Sequence, residues 1–295
     1  MIVDNYKDLI ESVKNNSCIN TSCDRVGLVR QVLLNLNRPD QFYRIIHVVG
    51  THGKRDFVKV LDRLMEQSGL KIACLIGGLS SDPRSQIKIN GQSISEEDYI
   101  HNFLQIYCHL PLDMTENELT QAEWTFLIGL NYFAEKNVDW LILPAVMGGI
   151  GDTSNAIGAP DLVVVTSCCM DHWRKLGSTI HQVAQAKAGV VKPGTKAVIV
   201  GPGIQGEFHE EIAAIVRSKG VRVIESKQFV TLSLNKEGSL PAFLQVRTPQ
   251  QHFNLTLPGK LSKRKLRNLY LILTTVNWLK ENGLTVKTSC KALVD

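Results

Sequence analysis

The chain has 295 residues, of which 44% are hydrophobic and 21% charged, and a formal net charge of +5. These are globular proportions, and they exclude a disordered tail, a collagen, a coiled coil and a disulfide-stapled mini-protein. The length suits one large domain or two small ones and can bury a sizeable core without staples.

Residues 6–14 and 24–36 carry helical periodicity; in the second stretch Val26, Val29, Val32, Leu33 and Leu36 share a face, and Pro39 stops the helix. Residues 43–50 form an apolar run suited to a strand buried on both faces. A turn, Gly50-Thr-His-Gly-Lys54, leads into a helix over 54–68 that Gly69 caps. A strand at 71–76, a loop at 77–86 and a short strand at 87–89 follow, the last turning at Asn90-Gly91. Ser95 opens a helix. Thr115, with Glu118 in the capping-box position, opens another that runs to about Lys136. Strands at 138–143, 161–166, 197–200 and 221–224 then alternate with a polar Gly-rich loop at 148–155 and helices at 180–188 and 207–218. Such alternation predicts an α/β fold, a mostly parallel sheet with helices on both faces. From 229 the pattern changes to a small antiparallel excursion at 229–234, 241–247 and 252–257, closed by a helix at 264–282.

No uncharged run reaches the ~18–20 residues of a membrane helix, and the N-terminus lacks a signal-peptide core. A soluble, cytoplasmic protein with no membrane partner is expected. Seven cysteines form no CxxC and no zinc spacing, which fits reduced, buried thiols. The basic run 260–267 reads as a phosphate-facing patch or as the solvated first turn of the last helix, and it gives nucleic-acid binding little support.

The main chemical signal is the turn at 50–54. Glycines let backbone N–H groups approach a phosphate, the helix N-terminus adds a favourable dipole, and Lys54 supplies a point charge. An ordinary Gly-containing βα turn is the other reading. Arg55 and Asp56 stand where a full phosphate loop carries a hydroxyl for Mg²⁺; Asp56 can bind that ion or repel phosphate. The loop 148–155 lies at the carboxyl end of another strand, where α/β ligands bind, with Asp152 and Asn155 either facing a site or shaping the turn. Asp171-His172 can ligate a metal or serve structure.

The order IIHVVGTHGK, IKINGQSIS, VDWLIL-x₄-GG-x₂-D-x₂-N, VVVTS-x₃-DH and LGSTIHQVAQAKAGVVKPG resembles folylpolyglutamate synthase/dihydrofolate synthase, of the Mur ligase family, over roughly 20–282. The resemblance implies a Mur-ligase-type central ATP-binding domain spanning 1–295, with N-terminal helices at 5–37. It implies ATP-dependent joining of glutamate to a folate or pteroate carboxylate through an acyl phosphate. Carried over by position, Gly50, Thr51, Gly53 and Lys54 match the phosphate loop, Asp152 and Asn155 the acidic loop, and His172 a magnesium-binding His. Lys187 matches a lysine that is carbamylated and then helps hold metal. On this basis Lys54, Asp152, His172 and Lys187 are expected to be catalytic. Gly50, Thr51, Gly53, Lys54 and Asn268 are expected to hold nucleotide, and His172, Lys187 and Asp56 to hold Mg²⁺.

The departures are equally specific. The family loop G-T-N-G-K-G-S carries His52, Arg55 and Asp56 at its Asn, Gly and Ser positions, and Pro144 replaces a magnesium-binding Glu. A family T-S-P-H-L becomes Ile76-Gly-Gly-Leu-Ser80, and of a late H-Q-x-x-N only Asn268 survives, with Arg264 and Lys265 in front of it. Family enzymes continue into a further domain that closes over the nucleotide, and this chain is expected to stop before it. Both ATP and Mg²⁺ use are thereby put in question. The expectation is a degenerate ligase domain with weak or no autonomous activity. Three alternatives stand beside it: a non-catalytic partner that binds another protein on the face left open, a ligase completed in trans, and, more remotely, a nucleic-acid binder.

Overall fold

The computed structural model describes residues 5–14, 24–77, 80–146, 148–170, 176–204, 206–235, 243–249, 251–256, 262–286 and 293. They fall into two compact units, one of residues 1–45 with 71–158 and one of 46–70 with 159–295.

In the first unit, strands β2 (Ile72–Leu75), β3 (Ile87–Ile89), β4 (Gln92–Ser93) and β5 (Trp140–Pro144) lie in the order β4-β3-β2-β5. β2 and β5 are parallel, with Ile72 opposite Trp140, while β2–β3 and β3–β4 are antiparallel. The β3–β4 turn is made by Asn90 and Gly91 at φ 47° and 73°, and the Asn90 side-chain carbonyl accepts the Ile72 N–H at 2.7 Å. Four helices pack here: α1 (Tyr6–Lys14), α2 (Arg25–Asn35), α4 (Glu96–Cys108) and α5 (Gln121–Glu135). Each of the last three begins at a side-chain cap, respectively Asp24, Ser95 and Thr120. Phe103, Trp124, Leu127 and Phe133 are fully buried in this core, with the Phe103 and Trp124 rings 4.5 Å apart. Each contributes about 1.5–3 kcal/mol by burial.

One expected helix divides. The Thr115–Glu118 capping box closes a single 3₁₀ turn, Glu116–Glu118, after which Leu119 is extended at φ −95°, ψ 135°. A second box, Thr120 with Glu123, then starts α5. Leu119 is buried, so its backbone turns outward from helical geometry to seat the side chain.

The second unit carries β1 (Arg44–Val49), β6 (Leu162–Val165), β7 (Ala197–Val200) and β8 (Arg222–Glu225), in the order β1-β6-β7-β8 and all parallel. LVVV and AVIV are buried at every position, as a strand covered on both faces requires. Helices α3 (Lys54–Glu66), α6 (Ile180–Ala188), α7 (Glu207–Ser218), α8 (Ser226–Phe229) and α9 (Lys263–Glu281) accompany them. The one-turn α8 falls where no element was expected; buried Ser226 anchors it through its hydroxyl to the Val200 carbonyl at 2.8 Å. A separate antiparallel sheet orders β11 (His252–Thr256), β10 (Phe243–Arg247) and β9 (Thr231–Asn235). The mostly parallel sheet with a small antiparallel addition is the fold the sequence predicts. No helix among the described residues is long and apolar enough to cross a membrane.

Candidate nucleotide and folate sites

Within the second unit, the turn between β1 and α3 is built around two glycines with left-handed backbones. Gly50 has φ 138°, and a Cβ there would lie 2.2 Å from Thr166 Oγ1. Gly53, at φ 88°, is the N-cap of α3, and a Cβ there would lie 2.8 Å from Asn268 Oδ1. No L side chain fits either position without displacing a neighbour.

The residues after β6 hold the turn from one side. Thr51 N–H donates to the Ser167 carbonyl at 3.0 Å, and His52 N–H to Ser167 Oγ at 2.8 Å. Thr166 Oγ1 donates to the His52 carbonyl at 2.8 Å. From α9, Asn268 Nδ2 donates to the Gly53 carbonyl at 3.1 Å. Gly53 supplies no side-chain cap to α3, and the first turn of any helix leaves N–H groups without intrahelical acceptors at its positive end. Lys54 folds back so that Nζ donates to the Gly50 carbonyl at 2.5 Å. This uncapped helix start with a lysine folded back beside it suits an anion of phosphate type. Gly50, Thr51, Gly53, Lys54 and Asn268, expected to hold nucleotide, thus meet at one turn.

Asp56 meets Arg264, the first departure from the family's late motif, with Arg264 Nε 3.0 Å from Asp56 Oδ2. Lys59, Lys265 and Asn268 line the same small cavity of about 130 Å³. The first turn of α9 holds no acid, although helix N-termini favour acids by about 0.3–1 kcal/mol each. Its Lys263, Arg264 and Lys265 are exposed, as the solvated-turn reading of the basic run expects.

Lys187 sits on α6 and is completely buried. It neighbours Cys168, whose thiol is pushed up to about 12 by burial, with the Lys187 charge acting the other way. His172 and Asp171 lie outside the described residues. Of the cysteines, Cys74 and Cys168 are buried, Cys169 half-buried and Cys108 exposed.

In the first unit, Asp152 is buried and serves its own loop. Its carboxylate accepts the N–H groups of Gly148 at 2.9 Å and Ser154 at 3.0 Å, and the Ser154 hydroxyl at 2.6 Å. The Asn155 side-chain amide donates to the Ile150 carbonyl at 3.1 Å. The turn-shaping reading of both residues is therefore realised in the geometry. Beside them opens a cavity of about 510 Å³, walled by Leu75, Thr125, Phe126, Leu143 and Pro144 with Asp152 and Ser154 at its polar end. Its size and mostly apolar lining are those of a small-molecule pocket. Sequence reasoning missed this cavity, because its wall comes from five separate segments. It also missed Thr166 and Ser167, which the Thr-Ser pair at the end of an apolar strand could have signalled.

No family model matches the chain. A Bacillus subtilis dihydrofolate synthase/folylpolyglutamate synthase is 28% identical over 266 residues, 87% of this chain and 60% of that protein. A Cricetulus griseus mitochondrial folylpolyglutamate synthase is 32% identical over 179 residues, 60% of this chain and 29% of that protein. The apo form of an L. casei FPGS superposes with a TM-score of 0.83 at 21% identity, covering 98% of this chain and 70% of that one. The chain is thus similar in sequence and in fold to folylpolyglutamate synthases and dihydrofolate synthases. It spans about 60% of the length of the Bacillus subtilis relative. The fold is shared with an E. coli FolC in complex with ADP, at a TM-score of 0.77 and 22% identity over 98% of this chain and 64% of that one.

The family resemblance implies Mg²⁺; of the residues expected to hold it, Asp56 and Lys187 are described here, while His172 lies outside the described residues. The carboxylate at the hydroxyl position pairs with Arg264, and position 144 carries no side-chain ligand. Among the described residues no group of three or more His, Cys, Asp or Glu side chains could hold a metal ion.

Proposed function

We propose that the chain is a folylpolyglutamate-synthase-type ligase domain that binds ATP at the β1–α3 turn and a folate or pteroate in the first unit's cavity. The observation that carries this reading is the turn itself: two glycines that admit no Cβ, a start of α3 that carries no side-chain cap, and Lys54 folded back on the Gly50 carbonyl. A neighbour described as an FPGS-AMPPCP-folate complex, with a TM-score of 0.82 at 21% identity over 98% of this chain and 70% of that one, supports it. In this reading Lys54 leaves the Gly50 carbonyl and presents its charge to the β- and γ-phosphates. Asn268 keeps the turn in place by holding the Gly53 carbonyl. The apolar walls around Phe126 and Leu143 receive a flat ring system.

Transfer to the folate carboxylate demands charge stabilisation at the moving phosphoryl group, and loss of one such group typically costs ~10²–10³ in rate. With Asp56 and Pro144 at family ligand positions, ligase turnover of the chain by itself is weak or absent. Those same two residues favour a second reading, a pseudoenzyme that binds nucleotide and serves another protein without joining glutamate to folate.

Calorimetric titration of ATP into the full chain tests the proposal. Micromolar binding that Lys54→Ala abolishes supports it, and no heat at millimolar ATP overturns it. Incorporation of radiolabelled glutamate into a folate above the Lys54→Ala background would select the ligase over the pseudoenzyme.

A further inference from the structure

We propose that the β1–α3 turn takes the polyphosphate of a nucleoside triphosphate without a divalent cation. Asp56 takes the sequence position of the loop's metal-binding hydroxyl and pairs with Arg264. This rests on the nucleotide-binding reading above and goes beyond it by specifying the charge that meets the phosphates.

Three observations converge. First, Asp56 occupies the position of a phosphate loop's ligand hydroxyl, and its carboxylate is committed to Arg264 at 3.0 Å. Asp56 alone would repel an incoming phosphate; paired, its charge is offset. Second, the replacement is reciprocal. The chain carries an acid on α3 and a base on α9 at two positions far apart in sequence, and the fold places them in contact. Third, the surroundings are strongly cationic. Lys54 and Arg55 open α3, and Lys59 and Lys265 line the same cavity as Asp56 and Arg264. Lys263, Arg264 and Lys265 crowd the N-terminal turn of α9, where bases are disfavoured. A cost of that kind is offset when an anion is bound between them.

A triphosphate carries about four negative charges, and Mg²⁺ ordinarily offsets two of them before the protein does the rest. Here protein cations supply the whole offset. Guanidinium groups suit this role because they fit phosphate oxygens in a fork and do not lose their charge.

The test is ATP binding to the full chain, followed by calorimetry once in EDTA and once in excess MgCl₂. The expected result is an affinity in EDTA within about threefold of that in Mg²⁺. Asp56→Ser, which restores the hydroxyl, is expected to make binding at least tenfold tighter in Mg²⁺ than in EDTA. Arg264→Gln, which leaves Asp56 uncompensated, is expected to weaken binding in EDTA at least tenfold. Both side chains are substantially exposed, at 48% and 68%, so the variants are expected to fold; unchanged circular dichroism melts confirm it. Binding in Mg²⁺ alone overturns the inference and leaves the nucleotide site standing. Absence of binding in both buffers overturns the two together. An Arg264→Gln variant that binds ATP in EDTA as well as the native chain also overturns it.

Discussion

Lys54 Nζ lies 2.5 Å from the carbonyl oxygen of Gly50, four residues back along the same turn. The lysine thus closes the cradle it is meant to serve, and an entering phosphate has to exchange one acceptor for another. Replacing a neutral carbonyl by a charged oxygen strengthens the bond roughly twofold. Lys54→Ala is therefore expected to reduce ATP affinity at least tenfold in calorimetry. The melting temperature should change by only a few degrees, because the bond lost is a partly exposed one within a single turn.

The two kinds of glycine in this chain should respond differently to a methyl group. At Gly50 a Cβ collides with Thr166 Oγ1 at 2.2 Å and with the Ser167 backbone nitrogen at 2.9 Å, on a left-handed backbone. At Gly220 the backbone is also left-handed, at φ 71°, but the Cβ would enter open space. Gly220→Ala is expected to cost about 1–2 kcal/mol, the conformational penalty alone. Gly50→Ala should cost at least about 1 kcal/mol more, measured by urea unfolding, and should also abolish ATP binding.

The cavity in the first unit offers a separate handle. Ala122 lines it from α5, and Ala122→Trp would fill much of its 510 Å³. Folate binding, followed by quenching of intrinsic fluorescence, should weaken at least tenfold. ATP affinity should stay unchanged, since the nucleotide cradle belongs to the other unit.

Much of the fold could be read from the sequence because its strands and helices differ so sharply in period. The parallel strands of the second unit are short runs of Val, Ile and Leu, and α6 and α7 begin and end where capping and apolar spacing place them. Where reading failed, longer-range packing decided. Leu119 broke the expected helix because its side chain is needed in the core, which no local rule states. The site was half legible. Gly50, Gly53 and Lys54 announce themselves through spacing, and Asn268 through resemblance. The pairing of Asp56 with Arg264 was not legible, since each residue looks merely like a defect until the fold places α3 beside α9.

Asp82 offers a pH-dependent test in the first unit. Partial burial pushes its carboxyl up, but the hydrogen bond from the Tyr6 hydroxyl at 2.7 Å and the bonds from Arg84 outweigh that and hold it below the usual range. Arg84 also lies over the Tyr6 ring, 4.7 Å from its centre. Because the folded carboxyl is the stronger acid, its contribution is complete at neutral pH and is lost as pH falls below about 4. The side chain is 46% exposed, so solvent screening limits the effect to about 1 kcal/mol. Asp82→Asn is expected to lower stability by that amount at pH 7, and the difference from the native chain should shrink as pH falls through the lowered carboxyl range.

The hydrogen bonds that Thr51 and His52 donate to Ser167 divide the phosphate turn into two populations of amide protons with different clocks. Those of Thr51 and His52 already have acceptors, at 3.0 and 2.8 Å, and should exchange with deuterium only when the turn comes away from the end of β6. Those of Arg55 and Asp56, in the first turn of α3, have no acceptor within the helix and should exchange much faster. Saturating ATP is expected to slow the second group by at least tenfold and the first hardly at all. Exchange mass spectrometry on peptides that separate residues 51–52 from 55–56 would read this directly. Slowing of both groups alike would mean that the turn is shaped by its ligand and does not stand ready for it.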